Sequence, residues 1–316
     1  MAYYTGSAAN LAAVLTALTS CCETEGWTYS SGILYKADPG IYVRLDATTV
    51  IGTLAIPPFR LWARNVSEAE SPSYVSMQQI YSETITYPVT YHCFVFTNEV
   101  YFIINWSDKY LWCAFGQSQQ PGLGGSGNWV AASVGAAFYN TTYKTWSYPT
   151  QGCMCQSSGY EGTNMEGLAA PQFAWNGGTV LGGNPDMRAN FFMDVGLDSG
   201  DTYHPWMYVI RGTSPGIKFM TELLDTQPNA FNNEGILLPI KVIKERASSK
   251  YSQVLQLENA RHIRIDNYTP QEIIALGTDE WMVFPWYKKN ASVPDGGYKI
   301  NHTGTFGWAI KYEPVT

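Results

Sequence analysis

The stretch GTDEWMVFPWYKKN, residues 277–290, constrains the fold more than any other part of the chain. At strand periodicity Trp281, Val283 and Pro285 point one way, and Met282, Phe284 and Trp286 the other, so both faces are apolar. Such a strand needs cover on each side, either from two sheets or from one sheet and a neighbouring subunit. The aromatic run beside Lys288 and Lys289 also fits a stacking platform for a sugar or a base. A platform, however, exposes one face and mixes hydrogen-bonding residues into it, so the buried strand fits better. Lys288, Lys289 and Asn290 are expected at the solvated end of a buried strand.

The same periodicity recurs elsewhere. In IYVRLDA, Ile41, Val43 and Leu45 alternate with Tyr42, Arg44 and Asp46, the pattern of a half-buried strand. HCFVF and EVYFIINW form an expected hairpin turning at Thr97-Asn98, and KYLWCAFG adds a third strand. ARHIRIDNY places Ile263 and Ile265 on one face, and GTDEWMVFPWY with GTFGWAIKY makes a final pair. One segment has helical spacing. Over residues 7–22, Leu11, Val14, Leu15 and Leu18 follow the i, i+3, i+4, i+7 rule, with Ser7 as a cap and Gly26 beyond the end. Ser214 to Asp225 supplies a shorter helix.

Residues 116–185 hold 14 of the 29 glycines, which predicts long loops with short strands, of the kind used to contact neighbours. The expected fold is mostly β: an antiparallel sandwich or two packed sheets, with a short N-terminal helix and long Gly-rich loops. Its parts are a helix over 1–22, a β region over 23–116, a Gly-rich loop region over 117–200 and a C-terminal β region over 201–316. The last forms one compact unit with 23–116.

Composition removes several function classes. Charged residues are only 14% and aromatics 15%, the opposite of a disordered chain. The 22 Tyr and 11 Trp suit strands and protein interfaces. The net charge is −7; residues 1–200 carry 7 Lys and Arg against 14 acids, and the remainder 12 against 12. No basic surface for phosphates is expected, hence no nucleic-acid partner. The start has no basic segment before its apolar residues, and no 18-residue apolar run occurs, so synthesis in a cytoplasm and no membrane insertion are expected. Six N-x-S/T triplets therefore carry no glycan meaning. The six cysteines are expected as free thiols, and Cys153-Met-Cys155 lacks the two-residue spacer of metal knuckles.

Motif matches do not amount to chemistry. GTSPG (212–216) matches a nucleophile elbow, but Pro215 follows the Ser and has no N–H for an oxyanion hole. GLGGSG (122–127) lacks a strand directly before it and an acid about 20 residues on. His92, His204, His262 and His302 show no metal-ligand spacing, and Asp266 lies too far along its strand to bond His262. Glu23 with Glu25 and Glu68 with Glu70 suit a solvated surface; LDSGD around Asp198 and Asp201 lacks the calcium-loop pattern. No catalytic, cofactor-binding or metal residue is assigned, and enzymatic activity is not expected.

The C-terminal third resembles virion structural proteins of tailed bacteriophages, of the kind encoded among tail and baseplate genes. The resemblance is carried by NEGILLPIKVIKE (233–245), ENARHIRIDNYTPQEIIALGTDEWMVFPWYKKN (258–290) and NHTGTFGWAIKYE (301–313). GWTYSSGILYK (26–36), IYVRL (41–45), YHCFVF and YLWCAFGQS (110–118) also look similar. The resemblance implies a β-rich building block of a phage particle without enzymatic activity, in the tail, baseplate or neck. It also implies contacts with copies of itself and with other virion proteins. Leu11, Leu15, Leu18, Trp281, Phe284, Trp286 and Tyr287 are the candidate interface residues. The alternative is a host-glycan-binding module of the tail, built from an exposed aromatic beside a polar cleft.

Overall fold

The structure is a computed structural model. It describes residues 1–47, 59–65, 69–71, 74–77, 85–120, 124–135, 138–140, 145–147, 191–195, 206–207, 235–246, 250–265, 267–286, 289 and 306–313. Its one described helix is α1 (Leu11–Thr24). The strands begin β1 (Ala2–Ala8), β2 (Thr28–Ser30), β3 (Ile33–Lys36), β4 (Ile41–Asp46), β5 (Phe59–Arg64), β6 (Val75–Met77) and β7 (Val89–Val95). They continue with β8 (Glu99–Trp106), β9 (Lys109–Gln117), β10 (Asn128–Ala132), β11 (Val134–Gly135), β12 (Phe138–Asn140), β13 (Thr145–Ser147) and β14 (Phe191–Asp194). The last are β15 (Trp206–Met207), β16 (Leu238–Arg246), β17 (Lys250–Arg264), β18 (Ile273–Leu276), β19 (Asp279–Pro285) and β20 (Phe306–Tyr312).

The fold is mostly β, and three antiparallel sheets carry it. The central sheet has the order β1-β7-β8-β9-β10-β14-β15. A second sheet, β11-β6-β5-β4-β3-β2, lies with α1 on one of its faces. A third, β16-β17-β20-β19-β18, covers the other face, while β12 and β13 form a separate pair. The architecture is thus the expected mostly-β sandwich of packed antiparallel sheets, here in three layers.

The central strands show why. On β8, Val100, Phe102 and Ile104 enter the first core, and Tyr101 and Ile103 the second. On β9, Leu111, Cys113 and Phe115 face the first, and Tyr110, Trp112 and Ala114 the second. A strand buried on both faces loses its polar alternation and reads as a continuous apolar run. The outer strands keep theirs: Ile41, Val43 and Leu45 of β4 are buried, while Tyr42, Arg44 and Asp46 are half-buried on the outer face.

Thr97 and Asn98 turn the β7–β8 hairpin as expected, with Val95 opposite Val100 and Phe96 N–H bonded to Glu99 O. β19 pairs with β20 along its length, the expected final pair. The β2–β3 turn uses Ser31 and Gly32, both at positive φ (52° and 81°), which matches the twist of a two-residue hairpin.

Three expectations are corrected. The helix starts at Leu11, not at residue 7: Ala2–Ala8 pair with β7 as an edge strand, and Asn10, not Ser7, caps the helix by accepting from Ala13 N–H at 2.9 Å. The open side of β7 offers main-chain partners that a longer helix would forgo. At the other end Trp27 N–H bonds Cys22 O and Gly26 N–H bonds Glu23 O, with Gly26 at φ +79°, a Schellman stop.

The region 117–200 holds the short strands expected, but two of them lie in the core and not over the surface. β10 and β14 are strands of the central sheet, and Trp129, Val130, Ala131, Phe191, Phe192 and Met193 are all buried. Glycine counting misses them because NWVAA and FFMD are short and lack a polar face. Lys289 is buried rather than solvated: its ammonium donates to Ile265 O, and its N–H donates to Asp108 O at 2.9 Å. A lysine stem is long enough to reach a main-chain carbonyl from a strand end. The Ser214–Asp225 helix, GTSPG, Cys153, Cys155, His204, His302, Asp198, Asp201 and most of 116–185 lie outside the described residues.

Candidate functional site

Buried charge is costly unless it is paired or hydrogen-bonded, so each buried ionisable group has a job to identify. Glu99 opens β8 and is 2% exposed. One carboxylate oxygen accepts from Glu258 N–H at 3.0 Å. The other accepts from Asn259 N–H at 3.0 Å, from the Asn259 amide at 2.9 Å and from Tyr101 O–H at 2.7 Å. Burial pushes the Glu99 carboxyl up, and the donors pull it back in part. The Tyr101 phenol is pushed up by burial and by the Glu99 charge.

The Glu258 and Asn259 donors belong to a bulge in β17. Pro239 lies opposite Arg261 and Lys241 opposite Gln256, so the intervening β17 residues leave the ladder. Glu99 takes main-chain N–H groups of the bulge. Arg261 takes its carbonyls: Nη1 lies 2.8–3.0 Å from the oxygens of Leu257, Glu258 and Ala260. The guanidinium also sits 5.0 Å from the Trp281 ring. Glu99 thus holds an irregular segment of the third sheet against the central one, and Arg261 closes that segment on itself.

Asp194, at the end of β14, does the same for a loop. Its carboxylate accepts from Ser126 N–H (3.0 Å) and Ser126 O–H (2.7 Å), while its carbonyl accepts from Gly127 N–H (3.0 Å). A side chain at Gly125 would run into the Asp194 backbone, so the GLGGSG loop is a close wrap around an acid. Asn128 ties sheets together by donating to Gly40 O (3.0 Å) and Arg64 O (2.9 Å).

Both described histidines face the second core. His92 Nδ1 is 2.8 Å from Tyr3 Oη, and burial depresses its pKa to about 4. His262 packs edge-on to Trp286, and burial lowers it to about 3. Both stay neutral near pH 7. Four thiols, Cys21, Cys22, Cys93 and Cys113, lie buried and free in the first core. Burial pushes the Cys93 and Cys113 thiols up, away from the reactive thiolate. Among the described residues no group of three or more His, Cys, Asp or Glu is placed to hold a metal.

The most elaborate surface is the outer face of the second sheet. The Arg44 guanidinium lies 3.5 Å above the Trp62 ring, with Nε 2.9 Å from both Glu70 oxygens. Arg60 pairs with Asp46 and lies 5.2 Å from Trp62 and 5.3 Å from Tyr74. Tyr35 and Tyr42 stack at 8° with centroids 5.6 Å apart, and Arg64 is the next cross-strand neighbour.

The candidate interface residues are dispersed, and this chain covers most of them. Leu18 is fully buried under the central sheet, with Leu11 and Leu15 half-buried beside it. Phe284 and Trp286 are 0% exposed in the second core, and Trp281 is 6% exposed in a small cluster with Ile263, Ile265, Val283 and Ala309. Of the two kinds of cover the alternation allowed, the chain's own layers supply it. Tyr287 lies outside the described residues. Sequence reasoning missed Glu99, Arg261, Asp194 and the Arg44–Trp62 face. The one signal for Glu99 was a lone acid opening the apolar run EVYFII.

No protein-family model matches this sequence, and a search of curated proteins finds no match to it.

Proposed function

We propose that the chain is a non-enzymatic structural component of a tailed-phage virion, built into the tail, baseplate or neck through contacts with copies of itself and with other virion proteins. What supports this is the use made of its buried charges. Glu99, Asp194 and Lys289 each bind main chain of the same molecule, joining one layer or loop to the next. The segments that resemble the phage family, 233–245, 258–290 and 301–313, contribute their strands to a single sheet. The test is antibody labelling of particles in the electron microscope, paired with sedimentation of the purified chain. Label at the tail or neck and an oligomeric chain are expected; unlabelled particles and a monomer would overturn the proposal.

A second function, host-glycan binding, is favoured by one observation. The stacked Tyr35–Tyr42 pair lies half-buried on an outer face beside Arg64. Binding on a glycan array that Tyr42→Ala abolishes would establish it, and a blank array would remove it.

A further inference from the structure

The two edges of the third sheet are built in opposite ways. β16, at one edge, carries Pro239, the half-buried Lys241 and two register breaks against β17. Those are devices by which proteins keep a sheet edge from pairing with another chain. β18, at the other edge, reads Ile273-Ile274-Ala275-Leu276, with no Lys, no Pro and an unbroken register against β19. Ile273 is 44% and Leu276 40% exposed, two of the few large apolar side chains among the described residues that are left in water.

The ladder also fixes where the main-chain groups of β18 point. Val283 N–H bonds Glu272 O at 2.9 Å. Leu276 and Asp279 close the turn across Gly277, which is at φ +64°, and Thr278. Antiparallel pairs alternate between bonded and non-bonded. Ile274 and Leu276 therefore bond to β19, and the N–H and C=O of Ile273 and Ala275 face the free side. Two residues of unpaired main chain between exposed apolar side chains match an extended segment, not a helix.

Charge selects the segment. From Ile265 to Tyr287 the chain has four acids and no Lys or Arg. Glu272 is exposed at one end of β18, while Asp279 and Glu280 stand at the other, where Lys311 answers Asp279 at 3.2 Å and the Arg261 charge also acts on it. A second copy of β18 would bring the same acids. We propose that the β18 edge receives an extended apolar segment of another protein, flanked by Lys or Arg, as a sixth strand. The proposal rests on the assembly function above and names the kind of partner it needs.

The test uses the full chain and a synthetic peptide of alternating Val and Thr with Lys at both ends, N-methylated along one edge so that it cannot stack on itself. Its counterpart carries Glu at both ends. Titration followed by fluorescence anisotropy is expected to show the Lys peptide binding at least tenfold tighter than the Glu peptide, and weakening as salt rises. Ala275→Pro removes an outward N–H without touching a β18–β19 bond, and Ile273→Lys blunts the edge; each is expected to weaken binding at least tenfold. Circular dichroism checks folding, and Ile273→Lys decides if the proline variant unfolds. Equal binding of both peptides, no binding, or full binding by both variants overturns the proposal. So does wild-type self-association that Ala275→Pro abolishes, which would give the edge to a second copy. A chain that ignores the peptide yet enters particles loses only this edge. One that binds the peptide but is absent from particles loses the virion assignment instead.

Discussion

The two faces of the central sheet meet different materials. Toward α1 and the second sheet the core is largely aliphatic and holds all four described thiols. Toward the third sheet it is aromatic: Trp112, Trp286 and Trp308 lie within 4.9–5.5 Å of one another, ringed by Tyr101, Phe94 and Phe284, with both described histidines against it. Two sheets face to face stand about 10 Å apart, a gap that large flat rings fill. A helix brings its own bulk and leaves room for Cys, Val and Leu. One set of strands, alternating residue by residue, thus serves two packing problems.

Acid should separate the two cores most strongly. Both histidine pKa values are depressed in the fold, to about 4 and about 3, so the unfolded chain takes up protons first. Stability is full above about pH 6.5 and is lost as pH falls toward those values, by on the order of 3 kcal/mol for each histidine. Glu99 acts oppositely: its raised pKa favours the fold at low pH, and that contribution is lost as pH rises through the folded value. Urea denaturation followed by tryptophan fluorescence from pH 7 to pH 4 is expected to show a falling midpoint. A flat profile would mean the histidines are not held neutral in the second core.

Trp308→Ala empties the middle of the aromatic cluster and should cost about 3–5 kcal/mol in the same measurement. Glu99→Gln keeps the shape but weakens the charge-assisted bonds to the β17 bulge. A loss of about 2 kcal/mol is expected, with faster amide exchange at Glu258 and Asn259 by NMR; unchanged exchange would mean the bulge holds itself. Cys93→Ala, on the opposite face, should cost only about 1 kcal/mol. If it costs as much as Trp308→Ala, the two cores are not mechanically distinct.

Much of the fold was legible. Alternation located β4, β7, β8, β9, β19 and β20 because each presents a face of one character or is apolar throughout. The two-sided apolarity of residues 281–286 correctly required cover on both faces. What stayed hidden was whose cover it was. Trp281, Phe284 and Trp286 show the same letters whether a subunit or the chain's own sheet lies above them. Glu99 and Arg261 were invisible as a pair because 162 residues separate them in number, and only the β17 bulge brings both to the same main chain. Lys289 was misplaced because charge in a sequence signals water unless a carbonyl lies within reach of its stem.

By itself the sequence determined the strand periods, the helix and its Gly26 stop, the doubly buried strand near the C-terminus and the net acidic charge. All of these follow from local spacing and side-chain chemistry. Tertiary structure alone decided that there are three layers, which side chains fill each gap, where the buried charges find main chain, and which sheet edge is left unprotected. Those depend on which distant segments come within a few ångströms, and long-range pairing is written in no single stretch of residues.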